Sequence, residues 1–399
     1  MTTKTARSFL LGTLAGLLAA GTAQAGPAEE LAGRDDWNAG GGMEWRGTNG
    51  VHGQGSLRIL AERAFAEGMV GDWRLNLTVV NANVATGTAQ PGTAIGKRVA
   101  AENSTPLAET DVYFPALSLR REVNDWTMIG KLSSTPMGGP VSALPTGSME
   151  VTRYGQPLIL TGRLFADPVV ASMLSYTGMR DPVSGQNWGR VVDMGGSAQA
   201  IWLATERIGV GLGGEAAYLT GEDVKDNTRF STRLDAAYDL RPQGFDHLRV
   251  GPFVSYAHFQ RNLSHYTYGH GGYYSPSSDL REGVLLDALT TEGRPWQVEL
   301  KTSLALGQAR EDAAPRFWVG GGGSGGDYAG SSTNGLNSEV SLRASALLDD
   351  QLILSGFARY QAAPQYTDMA LGAFLTVPFS PRGGVFSTDL PNSVFTPFR

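Results

Sequence analysis

The stretch "DWRLNLTVVN", Asp72–Asn81, decides the fold. Trp73, Leu75, Leu77 and Val79 fall on one side of an extended chain, and Arg74, Asn76 and Thr78 fall on the other. That period of two is the signature of a strand lying between an apolar and a wet environment. The pattern recurs down the chain with turn-rich intervals between. "RIGVGLGGEAAYL" sets Ile208, Val210, Leu212, Ala216 and Tyr218 opposite Glu215, and "RFSTRLDAAYDL" sets Phe230, Leu234, Ala236 and Tyr238 opposite Arg233, Asp235 and Asp239. "WQVELKTSLAL" places Trp296, Val298, Leu300, Leu304 and Leu306 against Gln297, Glu299, Lys301 and Ser303. "LNSEVSLRAS" places Leu336, Val340, Leu342 and Ala344 against Asn337, Glu339, Ser341 and Arg343.

A soluble sandwich also alternates, with its apolar face packed inward, so alternation alone does not choose. Three features favour a transmembrane antiparallel β-barrel. The strands run to about ten residues, the length a tilted membrane strand needs. Trp73, Tyr218, Tyr238 and Trp296 stand near strand ends, where an interfacial girdle belongs. The third is an export signal. Lys4 and Arg7 precede the apolar run "SFLLGTLAGLLAA", and "AQA" at Ala23–Ala25 is a small-x-small cleavage site. A cleaved signal over residues 1–25 is expected, then a short linker over 26–42, a barrel over 43–379 and a tail over 380–399. Long polar intervals such as "TGEDVKDNTR" (Thr220–Arg229) and "GGGGSGGDYAGSSTNG" (Gly320–Gly335) read as loops, and loop length on one side only is expected of a barrel.

Composition narrows the chemistry. The 399-residue chain has no cysteine, which excludes disulfides, thiolate metal sites and cysteine nucleophiles. A net charge of -6 argues against a nucleic-acid partner, because phosphate binding needs a basic face. Its 53 glycines and 18% charged residues suit strands and turns. "GGSGG" around Ser324 matches the G-x-S-x-G nucleophile elbow, but no apolar helix follows it and all five histidines precede it. A hydrolase of another kind would use His258, His265 or His270 with Ser264 or Ser275. Asp223, Asp226 and Asn227 lack calcium-loop spacing and no H-E-x-x-H occurs, so no metal or other cofactor is expected.

Three longer pieces are more specific. "LSYTGMRDPVSGQNWGRVV" (Leu174–Val192), "YLTGEDVKDNTR" (Tyr218–Arg229) and "YTYGHGGYYSP" (Tyr266–Pro276) stand in order. "WRGTNGVHGQGSLRILAERAF" (Trp45–Phe65), "LSSTPMGG" (Leu132–Gly139) and "GQAREDAAPRFW" (Gly307–Trp318) fit more loosely. Together they resemble the C-terminal domain of the BcsC family, the outer-membrane component of bacterial cellulose synthase and cellulose secretion. The resemblance implies a porin-like barrel of about 16 strands in the outer membrane of a Gram-negative bacterium. It implies a non-enzymatic channel exporting an exopolysaccharide, cellulose or a modified β-glucan. Full-length members of that family carry a tetratricopeptide superhelix before the barrel, and only about twenty residues separate the signal from the first strand here. Periplasmic coupling is then expected from a separate tetratricopeptide protein or from cellulose synthase complex subunits, or is absent. A general porin, or an outer-membrane hydrolase or deacylase acting on polysaccharide or lipid, is the alternative.

On this reading the wet strand faces line a lumen, with Arg74, Arg233, Asp235, Glu299 and Arg343 as candidates for the polymer path. Mixed charge signs there suit a neutral or modified polymer. Arg180, Asp181 and Trp188, with Tyr266, Tyr268, His270, Tyr273 and Tyr274, are candidates at the mouth. Glycines 269, 271 and 272 would allow backbone conformations closed to other residues, so the tyrosines could fold over the mouth or onto a sugar ring.

Overall fold

The computed structural model of the protein describes residues 36–98, 103, 107–319 and 326–395. The expected signal over residues 1–25 and the GGSGG serine, Ser324, lie outside the described residues. The chain forms a closed antiparallel barrel of sixteen strands. These are β1 (Asn38–Thr48), β2 (Arg58–Val70), β3 (Trp73–Thr88), β4 (Leu107–Val123), β5 (Trp126–Ser134), β6 (Pro145–Tyr154), β7 (Leu158–Pro168) and β8 (Asn187–Leu203). They continue as β9 (Ile208–Glu222), β10 (Asn227–Asp239), β11 (Phe245–Phe259), β12 (Ser278–Thr290), β13 (Trp296–Glu311), β14 (Ser331–Asp349), β15 (Leu352–Ala363) and β16 (Tyr366–Pro378). Each pairs with its sequence neighbour, and β1 closes the ring on β16 from Asn38↔Pro378 to Thr48↔Asp368.

Closure begins at Asn38, inside the stretch expected to be linker. The glycines of "NAGGG" are strand because the wall needs their small size. A Cβ on Gly40 would lie 2.6 Å from the Phe65 ring, and one on Gly42 would lie 2.4 Å from the Phe374 ring. The expected loop Thr220–Arg229 shrinks to the turn 223–226. Asp223 adopts a left-handed φ of 49° there, and the Thr220 hydroxyl donates to Asp226 at 2.8 Å, so the polar run folds into a hairpin end.

The two faces of each strand are sorted inside out relative to a soluble protein. Leu77, Val79, Leu212, Leu306 and Leu342 are exposed on the outer wall, whereas Glu299, Arg233, Asp235 and Glu215 are buried within. Lipid is the expected solvent of that outer wall. Its aromatics fall into two girdles. Trp73, Trp126, Trp202, Tyr238 and Trp296 adjoin the short turns at one rim, and Tyr218, Tyr256 and Tyr360 lie toward the other. The short-turn rim has the connections 71–72, 124–125, 155–157, 204–207, 240–244, 291–295 and 350–351. The opposite rim carries the short turns 223–226 and 364–365 and all the long connections, 49–57, 89–106, 135–144, 169–186, 260–277 and 312–330, so long loops are confined to one side.

Replacing outward-facing Leu342 with arginine should cost about 2–4 kcal/mol in urea unfolding from lipid vesicles, because a charge enters hydrocarbon. Arginine at inward-facing Gln199, which borders the wet interior, should cost less than about 1 kcal/mol. Equal penalties at the two positions would contradict the assignment of faces.

Candidate functional site: a charge-paired lumen under a cap

The inward faces enclose a cavity of about 1900 Å³. Asp125, Gln156 and Glu292 border it at the short-turn rim, and Val169, Val170 and Tyr176 border it at the other end. Its polar lining includes a set of paired charges among serine, threonine, asparagine and glutamine side chains. Arg229 reaches both Asp193 (2.6 Å) and Glu215 (2.5 Å), Arg343 pairs with Glu299 at 2.6 Å, Arg359 with Glu339 at 2.9 Å, and Arg74 with Glu67 at 3.0 Å. Lumenal aromatics are capped by arginines. Arg63 lies 4.0 Å over the Phe374 ring and Arg163 lies 4.8 Å over Phe165. Paired charges of this kind bind a neutral hydroxylated guest through hydrogen bonds and attract no ion strongly.

The long-loop end is closed by a cap. The loop 169–186 turns inward and forms a single helical turn, α1 (Met173–Tyr176), capped by Ser172 and Ser175 hydrogen-bonding to each other's backbone. Its apolar side chains join one buried cluster with Ile59, Val80, Val84 and Phe114 of β2–β4 and with Val191, Leu219 and Phe259 of β8, β9 and β11. Contact with inward residues from both sides of the barrel makes this cluster a floor across the mouth.

The mouth candidates are parts of that cap. Trp188, Tyr266, Tyr268, His270 and Tyr273 are each at most 3% exposed. Trp188 packs against Tyr268 at 5.8 Å, and Tyr273 receives a hydrogen bond from the Asn227 amide at 3.3 Å. Tyr274 stands apart with Ala363 and Tyr366, and its hydroxyl donates to Asp279. Gly269 (φ 93°) and Gly272 (φ 66°) supply left-handed turns; a Cβ on Gly272 would come within 2.8 Å of the Ser172 hydroxyl. Gly271 has no such φ but leaves room for the Tyr273 ring, 2.3 Å from where its Cβ would stand. Asp181 organises the RDP turn. It accepts from the backbone N–H of Lys97 and of Ser184, both at 2.9 Å, and from the Ser184 hydroxyl. Burial opposes its charge, but these bonds outweigh burial and hold its carboxyl below the usual range. Arg180 is exposed and donates to the Gly185 carbonyl. Buried Arg190, which is not among the sequence candidates, ties two loops together through Thr135, the Pro136 carbonyl and the Thr177 carbonyl.

Of the lumen candidates, Arg74, Glu299 and Arg343 border the cavity. Arg233 and Asp235 pair at 3.4 Å in a packed part of the interior, where Arg233 lies 4.2 Å over Phe253. The serine and histidine candidates are committed elsewhere. His270 Nε2 donates to the Pro315 carbonyl, the Ser264 hydroxyl to Asn262, and the Ser275 hydroxyl to the Tyr273 carbonyl.

The C-terminal tail, whose position no sequence pattern indicates, occupies the lumen. Val385 pairs with Arg294 at the short-turn rim, and Ser387 donates to Glu292. The Asp389 carbonyl then accepts from Ser345 (2.8 Å) and Ser355 (3.3 Å), and Asn392 receives Arg63 (2.6 Å) and Arg343 (2.7 Å). Higher still, Glu44 accepts from the Ser393 hydroxyl and the Val394 N–H, and Phe395 ends edge-on to Phe114 and Tyr176, both at 6.1 Å. Only the inward phase of Glu44 and Arg46 in β1, opposite Met43 and Trp45, could have pointed to the tail's partners.

Known proteins share this architecture. Residues 60–380 match the family described as "Cellulose synthase operon protein C C-terminus". The chain is 27% identical over 296 residues to "Cellulose synthase operon protein C" of Pseudomonas fluorescens (strain SBW25), which covers 69% of this chain and 21% of that protein. It is 28% identical over 279 residues to "Cellulose synthase 2 operon protein C" of Komagataeibacter xylinus, covering 68% of this chain and 21% of that protein. The chain thus spans about a fifth of the length of these relatives. Among solved structures, "Bacterial polysaccharide outer membrane secretin" superposes with a TM-score of 0.50 at 11% identity, over 86% of this chain and 99% of that one, a likeness of fold.

His270 gives the cap a pH dependence. Burial pushes its imidazole down from 6.5 to about 4, so the folded ring stays neutral where an unfolded one is protonated. The cap's stability is therefore full above about pH 6.5 and falls as pH drops toward 4, by roughly 3 kcal/mol in all. Hydrogen exchange of residues 260–277 should accelerate across that window, and His270→Gln should flatten the dependence.

Proposed function

Because the chain belongs to the cellulose synthase operon protein C C-terminal family, we propose that it is an outer-membrane channel exporting an exopolysaccharide, a cellulose-like β-glucan or a modified form of it. The observation that carries this reading is the charge-paired lumen with aromatic faces among its polar groups. A glucan has no charge to pair. It presents hydroxyls that exchange water for side-chain hydrogen bonds and C–H faces that stack on rings. Passage is passive, since a polymer slides only where each contact is weak and many alternate along the path.

Entry is from the periplasm at the short-turn rim, where the cavity is bordered by Asp125, Gln156 and Glu292. Exit requires displacement of the cap formed by 169–186 and 260–277. The outer wall is in contact with outer-membrane lipid, and the chain reaches that membrane through a signal cleaved after Ala25, leaving an N-terminus near Gly26. Upstream, the channel receives polymer from cellulose synthase complex subunits or a periplasmic tetratricopeptide protein. It carries out no covalent chemistry and needs no cofactor.

Deleting the gene in a cell that makes the polymer should move glucan from the medium to the periplasm while synthesis continues, and the full chain should restore export. Normal extracellular polymer with reduced uptake of small solutes would instead favour a general porin and overturn the export reading.

A further inference from the structure

One side chain joins three parts of the molecule that arrive from different sides of the barrel. Arg46 of β1 is fixed to the wall by a bidentate ion pair with Asp368 of β16, with Nε at 3.1 Å from one oxygen and Nη2 at 2.8 Å from the other. Its remaining nitrogen, Nη1, donates at once to the Val170 carbonyl (2.7 Å) and the Phe395 carbonyl (3.2 Å). Val170 lies in the cap loop, three residues before α1. Phe395 belongs to the tail, which enters from the opposite rim.

The contacts on either side reinforce the joint. Two residues along β1, Glu44 accepts from Ser393 and from the Val394 N–H. On the cap side the Phe395 ring sits edge-on to Tyr176 of α1 at 90° and to Phe114 at 84°. Cap and tail therefore share one guanidinium nitrogen, and neither can leave without breaking the Phe395–Tyr176 ring contact between them.

From this we propose that the tail is a latch for the cap: withdrawal of residues 393–395 from beneath the mouth releases the loop 169–186, and Arg46 is the positioning residue that couples them. An event at the short-turn rim that pulls on the tail would then open the far end of the lumen. Charge-assisted hydrogen bonds are strong enough for this, since losing one shifts an opening equilibrium by about tenfold or more. The proposal builds on the reading of the lumen as the path, but its test needs no polymer, so its failure would leave the export reading untouched.

The absence of cysteine makes a single thiol an unambiguous reporter. Ala171, buried in the cap at 3% exposure, is replaced by cysteine in the full chain, and labelling by a membrane-impermeant maleimide is timed in lipid vesicles. Deleting residues 393–399 should raise the labelling rate at least tenfold, and Arg46→Gln should do the same. The two together should give far less than the product of the single increases, because the Arg46–Phe395 bond is common to both. Arg121→Gln, which breaks an ion pair with Asp72 at a short turn of the opposite rim, should leave Ala171→Cys protected. Parental labelling after deletion of the tip, or multiplying effects of the two changes, would overturn the latch. If Arg46→Gln loses the compact, heat-modifiable gel mobility of a folded barrel, the deletion alone decides.

Discussion

Every backbone N–H and C=O in a membrane wall must find a partner within the protein, because hydrocarbon offers none. The β1–β16 seam meets that constraint here. Without the ladder from Asn38↔Pro378 to Thr48↔Asp368 the sheet would have two bare edges, at a cost of several kcal/mol for each unsatisfied group. The glycines at 40 and 42 answer a second demand of the same seam, since Phe65 and Phe374 occupy the space their side chains would need. A closed wall then forces the alternation of each strand to mean lipid on one side and an enclosed interior on the other.

The interior is crowded with charge held inside an apolar wall. A lone buried ion is expensive, so buried lumenal carboxylates such as Asp368, Glu299 and Glu215 sit with an arginine, and Arg229 bridges two acids from neighbouring strands. Such pairs add little net stability, but they leave the lumen electrically quiet. The tail exploits the same residues. Arg343 serves Glu299 and Asn392, and Arg46 serves Asp368 and Phe395, so wall chemistry and tail binding are not separable.

At the long-loop end the solution is different. The cap is held by burial, with α1, the tyrosine-rich segment 260–277 and inward residues of six strands forming one apolar cluster. Asp181 satisfies the polar groups of the RDP turn, and Arg190 satisfies three loop carbonyl and hydroxyl groups. The motifs that stand out most in the sequence are therefore the cap's folding instructions.

The period of each strand, and with it which residues share a face, was legible in one dimension: Arg74, Glu299 and Arg343 separate from Leu75, Leu300 and Leu342 on the alternation alone. Motif order likewise carried the family. Both are local properties of the chain, and a local property needs no fold to be read. Who meets whom was settled only by the folded barrel, because pairing across it depends on register and closure over hundreds of residues, as for Arg46 with Asp368. The tail has no period at all and is positioned by the wall around it. The tyrosines looked available for a sugar along the chain; three-dimensional packing buried them against Trp188, Phe259 and other residues of the cap and wall.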